Sequence, residues 1–254
     1  MLSFIRLAAG LALTICLLVT GPATAASFKA DQKGEIEQIV RDYLLANPEV
    51  IRDAMQELER RQAEEERLAA EQAVADSSGV LFNSTRQVEL GNPKGDVTLV
   101  EFFDYNCGYC KRSLLDMLRL INEDKNLRVV LKEFPVLGQP SVEAAQVSIA
   151  ANIVDPSKYS DFHQQLLQGR NRANKASALQ IAGKAGYDIA EVEKAMEQPE
   201  VIATIEEVYE LANRLSLTGT PSFVVGNEVV MGAVGYDSLK QKIAAIRDCG
   251  TATC

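Results

Sequence analysis

Apolar and polar positions follow two different periods along this chain, and the changes of period mark its helices and strands. From residue 28 to about 75, apolar residues recur at spacings of three and four, which is typical of amphipathic helices. The first predicted helix carries Ile36, Ile39, Val40, Tyr43 and Leu44. A second is predicted to begin at Asn47-Pro48-Glu49, which supplies an N-cap, a first-turn proline and a first-turn acid.

These helices form a predicted N-terminal arm, residues 26–76. The apolar stripe over 36–58 is too extensive for one copy to bury alone, which favours an oligomerisation arm over a solvated spacer. Beyond Leu58 the heptad positions include Gln62 and Glu65, so we do not expect a long, regular coiled coil. The composition of residues 76–79, Asp-Ser-Ser-Gly, predicts a linker to a domain over 81–248.

Buried strands are predicted where apolar runs are short and bounded by turn residues. After a short strand near 87–90, the runs 97–105 and 127–134 flank a helix that reaches about residue 122, which makes a βαβ unit. Strands 222–225 and 228–231 are separated by Gly226-Asn227, a β-hairpin signal, and a helix over 236–247 closes the domain. The segment between them, about 141–215, has a helical pattern with short breaks at 142–154, 156–168, 173–183, 189–198 and 201–215. The fold class is therefore α/β with a helical insertion.

Residues 1–25 have the pattern of a cleaved secretory signal peptide. Arg6 precedes a short apolar stretch that ends in a small-residue cleavage site at Ala23-Thr24-Ala25. This predicts export to a compartment where disulfides form, and the bacterial periplasm is the natural choice. The net charge of −9, which becomes −10 without Arg6, argues against nucleic acid or an anionic membrane surface as a partner.

The candidate chemistry lies in Cys107-Gly108-Tyr109-Cys110, where the buried strand should turn into a helix. Unpaired N–H groups and the helix dipole stabilise a thiolate at the first position. We therefore interpret Cys107 as a nucleophile that attacks a disulfide and Cys110 as the thiol that resolves the mixed disulfide.

The rest of the composition disfavours two other interpretations of this motif, a zinc site and a hydrolase. A zinc site needs further Cys or His ligands, and the chain has one histidine, His163, so no metal site is predicted. The same shortage argues against a Ser-His-Asp or Cys-His hydrolase, and His163 is expected to be an ordinary helix residue.

The C-terminal tail, 249–254, holds Cys249 and Cys254. In an exported protein this pair favours a small structural disulfide. A Cu(I) site is the alternative, since soft thiolates suit that ion, and free or externally bonded thiols are a third possibility. No cofactor is predicted, with copper kept open.

The order of these elements, over roughly 81–247, resembles the DsbA-like branch of the thioredoxin superfamily. The motifs that carry the resemblance are the run from Glu101 to Lys111 around Cys-Gly-Tyr-Cys, Lys-Glu-Phe-Pro-Val-Leu-Gly at 132–138, and Thr-Gly-Thr-Pro-Ser-Phe at 218–223. With its helical arm the chain most resembles the suppressor-of-copper-sensitivity (ScsC) group of that branch. The resemblance implies a thioredoxin fold with a helical insertion.

The resemblance also implies roles for four residues beside the two thiols. Pro221 would be a cis-proline that faces the active site, with Thr220 presenting backbone groups to an extended substrate and Tyr109 also contacting it. Without the resemblance, this segment reads as a plain turn. Glu101 would be a buried acid that takes the Cys110 proton, with a raised pKa unless Lys132 or another cation pairs with it. The alternative for Glu101 is an outward-facing strand residue.

One departure from the oxidase pattern bears on the activity. Oxidases of this branch usually carry Pro-His between the cysteines, whereas Gly108 and Tyr109 supply no cation, which predicts a less oxidising site. The motif therefore resembles disulfide isomerases, which are kept reduced. The resemblance implies misfolded or oxidised exported proteins as substrates, a membrane reductase of the DsbD type as electron donor, and a homo-oligomer, by likeness a trimer. An oxidase, a copper relay and a non-catalytic protein are the alternatives.

Overall fold

The computed structural model describes residues 28–254, so the predicted signal peptide lies outside the described residues. The chain divides into two units, of which the first ends at Leu58 and the second is Glu59–Cys254. None of the helices over residues 28–254 combines the length and hydropathy needed to span a membrane.

Two helices begin the described chain, as the sequence predicts: α1 (Ala30–Ala46) and α2 (Glu49–Asn83). Asn47 ends α1, because both its backbone N–H and its side-chain amide donate to the Tyr43 carbonyl. Over α1 no side chain is buried. The exposed large apolar side chains of the first unit are Phe28, Ile36, Ile39, Val40, Tyr43, Leu45, Val50, Ile51, Met55 and Leu58.

The predicted linker at residues 76–79 is wrong, because α2 continues without a break to Asn83. Val74, Ser77 and Leu81 recur at helical spacing on one face of α2 and are buried, while Asp76 and Gly79 face solvent. Burial of this face outweighs the turn-like composition of the segment, since tertiary packing stabilises helices more than propensity does.

A five-stranded mixed sheet, in the order β1-β3-β2-β4-β5, organises the second unit. Its strands are β1 (Val88–Gly91), β2 (Val97–Phe103), β3 (Leu127–Glu133), β4 (Ser222–Val225) and β5 (Glu228–Met231). β2 and β3 are parallel, and the other pairs are antiparallel. The predicted βαβ unit and hairpin are both confirmed. Gly226 has a positive φ of 58° in the hairpin turn, where a Cβ would collide with Ile246.

The remaining helices agree with the predicted insertion and closing helix. They are α3 (Gly108–Glu123), α4 (Gln139–Val154), α5 (Tyr159–Leu167), α6 (Lys175–Lys184), α7 (Ile189–Met196), α8 (Pro199–Arg214) and α9 (Tyr236–Cys249), with a 3-10 turn at Pro156–Lys158. Alternate residues of β2 supply two cores. Leu99 and Phe103 pack in the core shared with α3, α9 and the insertion, whereas Val100 and Phe102 pack with α8 and the end of α2.

Candidate active site

Cys107 is the N-cap of α3, at the point where the chain leaves β2. Its sulfur accepts the backbone N–H of Cys110 at 3.4 Å. Both thiols are free, Cys107 is 5% exposed and Cys110 is fully buried. The sequence prediction of a strand that turns into a helix at this motif is confirmed, and the geometry gives the first sulfur the N-terminal groups of the helix.

The hairpin places a cis peptide bond against this sulfur. Thr220–Pro221 is cis, as the resemblance implies. The Cys107 thiol donates to the Thr220 carbonyl oxygen at 3.1 Å. Ser222, which follows, begins β4 and pairs with Phe102 of β2, so the sheet itself fixes the cis peptide beside the thiols.

The pKa of the Cys107 thiol is lowered to about 5. The largest cause is a hydrogen bond with the Cys110 side chain, and the Thr220 hydroxyl and the N–H groups of Cys110 and Tyr109 add to it. Burial acts in the opposite direction but is outweighed. Burial dominates at Cys110 and holds its pKa far above the ordinary value, so only Cys107 is a thiolate at neutral pH.

Glu101 lies on the face of β2 that is turned toward α3, since it alternates with Val100 and Phe102 of the opposite core. Its side chain is buried, and its Oε1 has no hydrogen-bond partner among residues 28–254. Burial, followed by the negative charge of Cys107, raises its pKa to about 8. Glu101 is thus a buried residue, and the outward-facing alternative is wrong.

Lys132 does not pair with Glu101. The register aligns Lys132 with Phe102, so its side chain lies on the other face of the sheet. Its Nζ donates to the Val80 carbonyl of α2 at 3.1 Å, and burial lowers its pKa to about 8. Lys132 therefore does not lower the pKa of Glu101, which stays raised.

The residue before the nucleophile is held by the insertion. The Asn106 side chain accepts the Ala173 N–H at 2.7 Å and donates to the Ala173 carbonyl at 3.0 Å. Asp104 accepts the backbone N–H of Asn106 and of Leu137, and the Ser141 hydroxyl. These contacts join the Cys-Gly-Tyr-Cys segment to two loops that sequence reasoning did not connect with it.

A buried polar cluster beside the site was missed altogether. The Tyr105 hydroxyl lies 2.8 Å from Ser148 Oγ and 3.1 Å from His163 Nδ1. The Tyr159 hydroxyl donates to Glu133 at 3.1 Å, and burial raises the Glu133 pKa to about 8. Burial lowers the His163 pKa to about 3, so this imidazole is neutral. The available signal for Glu133 was an acidic residue within a largely apolar strand, as at Glu101.

Cys249 and Cys254 form a disulfide, with a Cα–Cα distance of 6.2 Å, as predicted. The loop that it closes places Ala252 in the core, 4% exposed, with its N–H near the Asn227 side chain. Both thiols of the tail are consumed by this bond, so the pair cannot act as the predicted alternative Cu(I) site while it is oxidised. Over residues 28–254, no cluster of three or more His, Cys, Asp or Glu side chains is arranged to hold a metal ion.

Comparison with known families gives two matches along the chain. A model described as a DSBA-like thioredoxin domain matches residues 98–244. A model described as the copper resistance protein ScsC N-terminal domain matches residues 32–65, within α1 and α2.

Two solved structures with similar folds are matched over nearly the whole of their own chains. A thioredoxin-like oxidoreductase from Silicibacter pomeroyi DSS-3 is 41% identical, with a TM-score of 0.65, over 67% of this chain and 98% of that protein. A linker-deletion variant of Proteus mirabilis ScsC is 27% identical, with a TM-score of 0.66, over 88% of this chain and 98% of that protein.

Curated relatives are more distant. Disulfide bond formation protein D of Bacillus subtilis is 24% identical over 170 residues, which cover 62% of this chain and 75% of that protein. The Na(+)/H(+) antiporter NhaA 1 of Salinispora arenicola is 22% identical over 155 residues, and this chain spans only 24% of its length.

Proposed function

The chain belongs to the DsbA-like thioredoxin family of thiol-disulfide oxidoreductases, and we propose that within this family it reduces and reshuffles the disulfides of exported proteins in the periplasm. The observation that carries the proposal is the juxtaposition of the Cys107 sulfur, the buried Cys110 thiol and the cis Thr220–Pro221 peptide. The signal-peptide pattern of residues 1–25 supports the location.

The first step is nucleophilic attack by the Cys107 thiolate on one sulfur of a substrate disulfide. A bond forms between the two sulfurs, the substrate disulfide breaks, and the other substrate sulfur leaves as a thiolate. With a pKa of about 5, Cys107 is ionised at neutral pH. The Thr220 carbonyl lies 3.1 Å from the reacting sulfur, and an extended substrate segment can lie along the peptide that it shares with Pro221.

The second step needs a base, because burial keeps Cys110 protonated. While Cys107 is a thiolate, its charge helps to raise the Glu101 pKa to about 8. That charge disappears once Cys107 is in the mixed disulfide, so the Glu101 pKa falls by the Cys107 contribution while the larger contribution of burial remains. The ionised fraction of Glu101 then takes the Cys110 proton. Cys110 then attacks the Cys107 sulfur and releases the substrate thiolate, which leaves the protein oxidised by two electrons.

Reshuffling skips this release. The substrate thiolate set free in the first step attacks another disulfide of the substrate, which breaks and releases a new substrate thiolate. That thiolate then attacks the substrate sulfur of the mixed disulfide, so that a new substrate disulfide forms and Cys107 leaves as a thiolate. This cycle requires a site that is held reduced. The Cys107 pKa of about 5 lies between the ~3.5 of a strong oxidase and the ~7 of thioredoxin. Such an intermediate thiolate is compatible with an isomerase or reductase, and the resemblance supports a membrane reductase of the DsbD type as the electron donor.

Besides a site that is held reduced, an isomerase benefits from several active sites around one substrate. The arm can bring such sites together. Ile39 and Leu45 of α1 are 66% and 75% exposed, and α1 buries no side chain of its own. Burying this apolar face against other copies is a favourable way to cover it. Together with the ScsC N-terminal match at residues 32–65, it supports a homo-oligomer, with a trimer as the stoichiometry implied by the resemblance.

The test is recovery of activity from a scrambled-disulfide enzyme by the reduced protein from residue 27 onward. Comparison proteins are Cys107→Ser and a truncation that begins at residue 59, since the end of α2 packs in the core and must be kept. Recovery that depends on both Cys107 and the arm supports an oligomeric isomerase. Oxidation of a reduced substrate without reshuffling supports the oxidase instead, and stoichiometric retention of Cu(I) by Cys107 and Cys110 supports the copper relay.

A further inference from the structure

Exposed positive charge lies at the edge of the reactive motif. Arg112 stands two residues after Cys110, and its guanidinium carbon lies 4.4 Å from the centre of the Tyr109 ring. Both side chains are exposed, Tyr109 by 58%. This stacking sets a guanidinium beside the ring that occupies the position between the two cysteines.

A second group of cations comes from the insertion, on the segment between α5 and α6. Lys111 Nζ donates to the Gly169 carbonyl at 2.6 Å, and the Asn106 side chain pairs with both backbone groups of Ala173. Residues 169–173 are therefore fixed against the reactive motif at both ends. The exposed side chains of Arg170 and Arg172 lie between these two anchors.

The loop after β3 lies beside these arginines. Arg172 Nη2 is 3.4 Å from the Leu137 carbonyl, and the Leu137 N–H donates to Asp104, three residues before Cys107. Val136 and Leu137 are 39% and 45% exposed. Arg172 thus borders an exposed apolar strip close to the nucleophile.

These arginines have no carboxylate partner in the described part of the chain. Ion pairs hold Arg86, Arg128 and Arg247 elsewhere in the same unit, whereas Arg112, Arg170 and Arg172 form none. The chain as a whole carries a net charge of −9. The unpaired guanidinium groups therefore make the surface around the active site positive in a chain that is negative as a whole. Their charge remains available to a ligand.

We propose that the active site selects substrate disulfides flanked by acidic residues, with Arg112 and Arg172 binding substrate carboxylates on either side of the attacked cysteine. The proposal rests on the disulfide exchange proposed above and names its substrate class. Guanidinium groups suit carboxylates because their planar donors match both oxygens. The exposed side chains of Tyr109, which stacks with Arg112, and of Leu137, whose carbonyl contacts Arg172, can accommodate an apolar residue next to the cysteine.

The test uses three disulfide-bonded peptides that differ only in the residues flanking the cysteine, which are Asp, Gln or Lys. The rate constant for reduction of each by the reduced protein is measured at low and high salt and divided by its rate with 2-mercaptoethanol. That division removes the effect of flanking charge on the leaving thiol. Proteins compared are the full chain from residue 27, Arg112→Gln/Arg172→Gln, and Lys94→Gln/Lys125→Gln.

The lysine pair is a matched control. Lys94 and Lys125 are exposed and precede the first residues of β2 and β3, whereas Cys107 follows the last residue of β2, at the other end of these strands. Both double variants remove two positive charges. Because hydrogen bonds set the Cys107 pKa, the midpoint of Cys107 alkylation should stay near 5 in both.

The Asp peptide should react about tenfold faster than the Lys peptide at low salt, and the preference should shrink in high salt. Arg112→Gln/Arg172→Gln should abolish the preference, and Lys94→Gln/Lys125→Gln should keep it. Equal normalised rates for all three peptides, or a preference that survives loss of both arginines, would overturn the proposal while leaving disulfide exchange intact. No reaction with any peptide would instead refute the proposed function.

Discussion

The thiol of Cys107 donates to the carbonyl oxygen of Thr220 across 3.1 Å, and this contact links the start of α3 to the cis peptide before Pro221. A carbonyl oxygen can only accept, so the contact suits the protonated thiol and is lost when the thiolate forms. Ionisation therefore leaves the Thr220 carbonyl free to accept an N–H from a substrate backbone. The same peptide thus accepts from the protonated thiol below the Cys107 pKa and presents a free acceptor to the substrate once the thiolate has formed.

Alkylation of Cys107 by iodoacetamide should increase with pH around a midpoint near 5, since only the thiolate reacts. Thr220→Val removes the hydroxyl that helps to lower this pKa and should move the midpoint upward. Mass spectrometry of the quenched protein measures both midpoints. A midpoint near 8.5 in the unsubstituted protein, as for a free cysteine, would contradict the assigned hydrogen bonds.

Glu101→Gln should slow the release of the mixed disulfide about a hundredfold, the lower end of the range for loss of a general base. The initial attack should stay within about threefold, because Cys107 is ionised without help from Glu101. Acid quenching followed by gel analysis would then show the mixed disulfide accumulating.

Glu133→Gln is the matched control for that experiment. Glu133 is also buried with a pKa raised to about 8, but it contacts Tyr159 and not the thiols. It should release the mixed disulfide at the normal rate. Equal slowing in both variants would mean that Glu101 affects the step only through the packing of the sheet.

Glu133 also makes a prediction about stability. Its folded pKa of about 8 lies above the value near 4.3 of an unfolded chain, so its contribution is present at low pH and is lost as pH rises through about 8. Between pH 6.5 and 8, the free energy of unfolding of the oxidised protein should fall relative to Glu133→Gln by up to about 1.4 kcal/mol per pH unit. Urea unfolding at several pH values measures this, and parallel curves would contradict the raised pKa.

The sequence predicted most of the fold because each strand and helix has its own local pattern. It failed at residues 76–79, where Asp-Ser-Ser-Gly has the composition of a linker. The helix persists there because Ser77, between Val74 and Leu81, is buried on the packed face. Local composition does not reveal which residues a distant helix such as α8 will cover.

The candidate site was predicted in part. The positions of Cys107, Cys110, Thr220 and Pro221 follow from short motifs, whereas the partner of Lys132 depends on strand register. A shift of one residue moves a side chain to the other face of the sheet, which is why Lys132 reaches Val80 and not Glu101.

Removing the C-terminal disulfide tests the tail. Cys249→Ala/Cys254→Ala should lower the free energy of unfolding by about 2 kcal/mol, given the sequence separation of 5 residues. Disulfide exchange at Cys107 should be unaffected. Thermal unfolding and a reductase assay check the two expectations, and a loss of exchange activity would assign the tail a role in the reaction.

The arm can be tested with a single charge. Ile39→Glu should weaken self-association, because it places a carboxylate in the apolar face of α1. Gln38→Glu adds the same charge one residue away and should leave the oligomer intact. Sedimentation velocity at micromolar concentration distinguishes them, and equal behaviour would mean that the apolar face is not the contact surface.

The burial of His163 changes what can titrate near neutral pH. It is the one imidazole of the chain, it is 1% exposed, and burial lowers its pKa to about 3. Histidine dominates titration between about pH 5.5 and 7.5 in most proteins, whereas here the buried groups with a pKa near 8 are Glu101, Glu133 and Lys132. Spectra recorded across neutral pH therefore contain no imidazole transition, and Glu133→Gln separates the Glu133 signal from that of Glu101.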